Sequence, residues 1–122
     1  MTARAVWSIP PGTPVLQDQT DPMASFSVEQ DWFPPPGGVT VAIVTYEPGF
    51  QYPMHRTPTL DVGFIISGRL ELVLERASTV LGPGECYVQR GTAHSWRVVG
   101  DEPCTFCGIA VGAATHSEES AE

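Results

Sequence analysis

The feature that most limits the fold of this 122-residue chain is its punctuation. Past PPPGG at 34–38, turn-forming residues recur roughly every eight to twelve positions, among them EPGF at 47–50, Ser67-Gly68, GPG at 82–84 and GDEP at 100–103. Gly admits left-handed backbone and Pro locks φ, so such clusters fix where the chain can reverse. No sustained 3.6-residue spacing runs between them. The intervening pieces read as strands instead: Val39–Tyr46, Asp61–Ile66, Arg69–Glu75, Thr79–Leu81, Cys86–Gln89, His94–Val99 and Cys104–Val111. In the third of these Leu70, Leu72 and Leu74 alternate with Arg69, Glu71 and Glu75, one face for the core and one for water. Ser67-Gly68 reads as a hairpin turn. Many short strands of this kind predict an all-β class, a small antiparallel β-barrel or jelly roll.

The organisation divides in three. Residues 1–37 read as an N-terminal arm with short strands (AVWSI, FSVEQDWF), and Trp32 and Phe33 as core or arm-packing residues. Residues 38–112 form the barrel, and 113–122 read as a disordered acidic tail holding a solvated His116. Charge narrows the partners. A net charge of −8 and a pI near 4.6 exclude the basic footprint that nucleic acid requires. All six basic residues are Arg, so lysine Schiff-base chemistry is excluded as well. Apolar runs are strand-sized and nothing resembles a leader, so no membrane association is expected and the cytoplasm is the default location.

Cys86, Cys104 and Cys107 are an odd number, unlike the paired framework of small secreted domains. Cys104 and Cys107 sit three apart on a strand, so their side chains face opposite ways and no bridge joins them.

Polar chemistry concentrates in two stretches. Between Gly49 and Gly68, His55, Thr57 and Asp61 share the parity of Gly63 and Ile65, so an extended chain turns an imidazole, a hydroxyl and a carboxylate towards one interior. The second stretch, GPGECYVQRGTAHSW, ends in His94 with Trp96 on the same face, and Tyr52, Met54, Gln89 and Arg90 are further candidates for a pocket wall.

These stretches together resemble the cupin superfamily. The family's first motif is Gly, five residues, His-x-His, three or four residues, Glu, six residues, Gly. Gly49, His55, Thr57, Asp61 and Gly68 keep that spacing, with Thr57 in place of the second His and Asp61 in place of the Glu. The second motif is matched more loosely: Gly84 and His94 are present, with Arg90-Gly91 where Pro-x-Gly stands in the family, one residue fewer between them, and Val98 in place of the usual Asn. The wording HRTPTLD with QRGTAHSW is similar to that of small bacterial single-domain cupins.

The resemblance implies a homodimer, for which the Val39–Tyr46 strand offers an edge, and a small-molecule ligand inside the barrel. Two readings of the site stand side by side. In one, His55, Asp61 and His94 hold a divalent metal (Fe, Zn, Mn or Ni), and Tyr52, Met54, Thr57, Gln89 and Trp96 line the substrate pocket. The protein is then a metal-assisted lyase, isomerase, cyclase or dioxygenase acting on an oxygenated, partly apolar molecule, as in polyketide-type biosynthesis. In the other, no metal is bound, and Asp61 and the histidines act as an acid–base pair or the cavity serves as a ligand-binding sensor.

Overall fold

VTVAIVTY carries β-branched and aromatic side chains on both faces, a composition that suits a strand with neighbours on each side. In the computed structural model, which describes residues 1–12 and 33–113, it is β2 (Val39–Tyr46), paired with β1 (Thr2–Ile9) on one edge and β9 (Cys104–Gly112) on the other. The larger sheet continues through β4 (Thr59–Ser67) to β7 (Cys86–Arg90), in the order β1-β2-β9-β4-β7. A second sheet, ordered β3-β8-β5-β6, contains β3 (Gln51–His55), β8 (His94–Val98), β5 (Leu70–Leu74) and β6 (Ser78–Leu81). All the pairings are antiparallel, and no helix occurs among the described residues. The all-β jelly roll expected from the turn spacing is the observed fold.

Cross-strand register lays the inner face of the five-stranded sheet out in rows. One row, Ser8–Thr40–Ala110–Asp61–Gln89, is largely polar. The next, Ala5–Ala42–Gly108–Gly63–Tyr87, is small until its last member. The third, Ala3–Val44–Phe106–Ile65, is apolar. Opposite them the four-stranded sheet presents His55–His94–Leu74, then Tyr52–Trp96–Leu72, then Val98–Leu70–Leu81. The apolar rows meet to form the core, where Leu70 and Cys104 are wholly buried. Truncating such a leucine to alanine costs about 2–5 kcal/mol. Where the small row faces Tyr52 and Trp96, the sheets cannot close on each other, and a cavity remains.

Several expectations need revision. Ser67-Gly68 is not a hairpin turn: it carries the chain from β4 in one sheet to β5 in the other. Gly68 has φ +77°, and a side chain there would strike the Pro103 carbonyl, so the crossing needs glycine twice over. β2 offers no free edge, because β1 and β9 flank it. AVWSI, expected as a short strand in an arm, is the second half of an eight-residue strand, Thr2–Ile9, that forms one edge of the larger sheet. FSVEQDWF up to Trp32, and the tail from residue 114 including His116, lie outside the described residues. Cys104 faces inwards and Cys107 pairs across from Ile43 on the outer face, and both are free thiols.

Candidate functional site

The two imidazoles come from adjacent strands. β3 pairs with β8 so that Tyr52 stands opposite Trp96 and His55 opposite His94, with a register irregularity between the two pairs. His94 and Trp96 are two apart and share a face as ordinary strand neighbours. Tyr52 and His55 are three apart, and only the irregularity around Pro53, which has no N–H for the ladder, brings both to the interior. The His55 and His94 ring centroids are 4.3 Å apart; Tyr52 packs edge-on to His55 at 4.5 Å and Trp96 edge-on to His94 at 5.4 Å.

Each imidazole is fixed in the same way. Nδ1 of His55 lies 2.9 Å from the Pro53 carbonyl, and Nδ1 of His94 lies 2.8 Å from the Thr92 carbonyl. A carbonyl oxygen only accepts, so Nδ1 carries the proton in both neutral rings and Nε2 keeps its lone pair. Asp61 projects from the facing sheet. Its Oδ1 accepts from the Thr59 hydroxyl at 3.0 Å, and Thr59 is bonded in turn to the Thr57 hydroxyl at 2.8 Å.

Burial shapes the electrostatics. Desolvation pushes the Asp61 carboxyl above its usual range, against the Thr59 hydrogen bond and the two nearby imidazoles, which favour the ionised form. Desolvation pushes His94 below the usual imidazole range, helped by His55 and opposed by the Thr92 carbonyl and the Asp61 charge. An acid drawn upwards and a base drawn downwards exchange a proton at low cost. Tyr46 and Tyr87 are both held far above the ordinary phenol range by burial, so both remain neutral donors at any working pH.

The cavity between the sheets has a volume of about 180 Å³. His55, Asp61 and His94 line it, together with Tyr52, Trp96, Tyr46, Tyr87, Phe106 and the small residues Ala42 and Gly108. Of the pocket residues expected from sequence, Tyr52 and Trp96 are therefore in the wall. Met54 is not: it faces a shallow outer groove with Gln51 and Arg97, on the far side of the register irregularity from Tyr52. Thr57 sits outside the wall because the chain leaves β3 at His55 and re-enters the other sheet at Thr59; its hydroxyl reaches Asp61 only through Thr59. Gln89 is buried beside Asp61 and takes a hydrogen bond from Thr92, while Arg90 points outwards and is exposed.

Sequence reasoning overlooked Tyr46, Tyr87 and Phe106. They lie in stretches where both faces are apolar or aromatic, so alternation carried no contrast to mark the inner one. Phe33, expected to be a packing residue only, also borders the cavity.

The sequence profile described as Cupin domain matches residues 42–112, more than half of the chain. This chain belongs to the cupin family. Two curated relatives share comparable stretches with this cupin. Oryzines biosynthesis cluster protein J of Aspergillus oryzae is 46% identical over 63 residues, covering 51% of the chain and 35% of the relative. Cupin-domain-containing oxidoreductase srdD of Neurospora crassa is 38% identical over 60 residues, covering 48% and 31%. The chain thus spans about a third of the length of the curated relatives it matches. These relatives are fungal, so they do not confirm the small bacterial subgroup that the motif wording suggested. Among solved structures, DMSP lyase DddQ from Ruegeria pomeroyi superposes with a TM-score of 0.55 at 28% identity, covering 61% of this chain and 38% of that one. A Cupin 2 conserved barrel domain protein from Salinispora arenicola, with a TM-score of 0.56 at 19% identity over 68% of this chain and 71% of that one, shares the fold.

Cupins often bind a metal, and the residues present fit one only in part. The two imidazoles are held as metal-bound imidazoles usually are, with Nδ1 on a backbone carbonyl and Nε2 free. A third donor does not join them. Among the described residues no three His, Cys, Asp or Glu side chains converge closely enough to hold a metal ion. Thr57, in place of the family's second His, is turned towards Thr59. The donor set as placed is incomplete, and the chemistry below rests on the side chains alone.

Proposed function

We propose that this cupin is an enzyme that moves a proton on a small, largely apolar, oxygen-bearing molecule held in the barrel, the chemistry of a lyase, isomerase or cyclase. The observation that carries this reading is the common anchoring of His55 and His94, which leaves two Nε2 lone pairs for the cavity with the Asp61 carboxyl near both. His94, kept neutral by burial, takes a proton at Nε2 from a carbon next to a carbonyl. The C–H electron pair moves to the carbonyl oxygen as an enolate, and the charge of Asp61 favours the imidazolium that results. Size limits the substrate: a cavity of about 180 Å³ suits a molecule built on a single ring, since one of about 150 Å³ accepts benzene. Relatives named for biosynthesis clusters, and a structural neighbour named as a lyase, support a role in small-molecule metabolism of this kind.

Exchange of the α-protons of acetophenone in D₂O, followed by proton NMR, tests the reading. The wild type is expected to speed exchange, and His94→Gln to lose most of that effect. Exchange no faster with wild type than with His94→Gln overturns it and leaves a ligand-binding module.

We further propose a homodimer packed through the outer face of the five-stranded sheet. One row there, Trp7–Val41–Ile109–Val62–Val88, is apolar across all five strands. Its neighbour runs Arg4–Ile43–Cys107–Phe64–Cys86. Neither row carries a carboxylate, although the chain has 14 acidic residues, so two copies can stack there without like-charge repulsion. The occupant that fits is a second copy presenting the same face.

A further inference from the structure

Tyr87 stands directly opposite Gly63 on the β4–β7 ladder, at the end of the small row. Its ring does not stand upright from the sheet. It lies over Gly63, so that even a methyl group there would overlap the ring edge and the hydroxyl. The ring also packs on Trp96, tilted at 58° with centroids 4.9 Å apart. The phenol is thereby held by a glycine floor and an indole. Beyond Gly63 the row continues with Gly108 and Ala42, both in the cavity wall, so the hydroxyl is carried one strand inwards from its own backbone to the edge of open space. Among the described residues the hydroxyl has no hydrogen-bond partner, yet it is not sealed away from the cavity. A phenol so held, without a partner, is a donor waiting for an acceptor.

We propose that Tyr87 orients the substrate by donating its phenolic hydrogen to a carbonyl oxygen of the ligand, and that Gly63 is the specificity-determining residue that lets it do so. The proposal rests on the proton-transfer reading and adds to it the group that holds the carbonyl oxygen of that single-ring substrate. Tyr87 remains un-ionised, as its burial and the nearby Asp61 require, and so acts as donor and not as base. A donor fixed before the ligand arrives stabilises the developing enolate oxygen without reorganising.

Two isosteric probes separate the donor from the packing: acetophenone, and α-methylstyrene, in which a methylene group replaces the carbonyl oxygen. Titration calorimetry of the wild type is expected to show roughly a tenfold preference for the ketone, the worth of one hydrogen bond. In Tyr87→Phe the ketone should weaken by about that factor while the alkene binds as before, a split that a purely structural role of Tyr87 would not produce. Gly63→Ala should lose the same preference with Tyr87 intact, by driving the ring off the floor. Equal ketone affinity in wild type and Tyr87→Phe overturns the proposal alone. Failure of the wild type to bind either probe overturns it together with the reading of the cavity as a substrate site.

Discussion

His55 and His94 are cross-strand partners whose rings stand 4.3 Å apart, each tethered through Nδ1 to the carbonyl two residues before it. Burial holds His94 below the ordinary imidazole range, and the neighbouring His55 ring pushes the same way. The pair thus presents one dependable base at neutral pH.

That arrangement sets a pH dependence of stability. The pKa of His94 is depressed in the folded state, so the unfolded chain binds the extra proton. Its contribution is complete above the ordinary imidazole value of 6.5 and is lost as pH falls through the folded pKa. Asp61 acts oppositely: its raised pKa makes the fold less stable as pH rises through the window above 3.8. Urea midpoints of the wild type should therefore fall as pH drops below 6.5, and His94→Gln should flatten that limb. An unchanged slope in the variant would assign the dependence to another group.

Thr59 tunes the acid. Its hydroxyl is the hydrogen bond that holds the Asp61 carboxyl down against desolvation. Thr59→Val keeps the shape and removes the donor, so Asp61 should titrate higher still, followed through its carboxyl carbon by NMR. A lower or unmoved titration would show that the bond does not favour the ionised form.

Asp61→Glu tests the incomplete donor set. The added methylene extends the carboxylate by about 1.5 Å. If Asp61 falls short of the two Nε2 atoms, Zn(II) affinity measured by calorimetry should rise in this variant and stay low in wild type and Asp61→Ala. Tight wild-type binding that both variants weaken would instead make Asp61 a direct ligand.

The dimer has its own check. Phe64 is 46% exposed on the outer face, between Cys86 and Cys107. Phe64→Arg should leave the fold intact and convert a particle of twice 13.1 kDa to one of 13.1 kDa in sedimentation velocity. A monomeric wild type would rule the interface out.

Much of this was legible in the chain itself. Turn residues placed the strands from Val39 onward to within a few residues, except β3 (Gln51–His55), which was not set apart as a strand of its own; Gly and Pro restrict the backbone locally whatever surrounds them. Motif spacing singled out His55, Asp61 and His94, and parity placed Trp96 beside His94. Tertiary structure decided the rest. Parity treated residues 55–65 as one extended run, whereas the chain changes sheets between His55 and Thr59; Asp61 reaches the cavity from the opposite wall, and Thr57 does not line it. The inward turn of both Tyr52 and His55 depends on an irregular register, a relation between two strands that neither strand encodes alone. Tyr87 found its place because a glycine lies across from it in another strand. Local preferences are written residue by residue; which side chains share a cavity depends on pairings between residues far apart in sequence, and only the closed barrel fixes those.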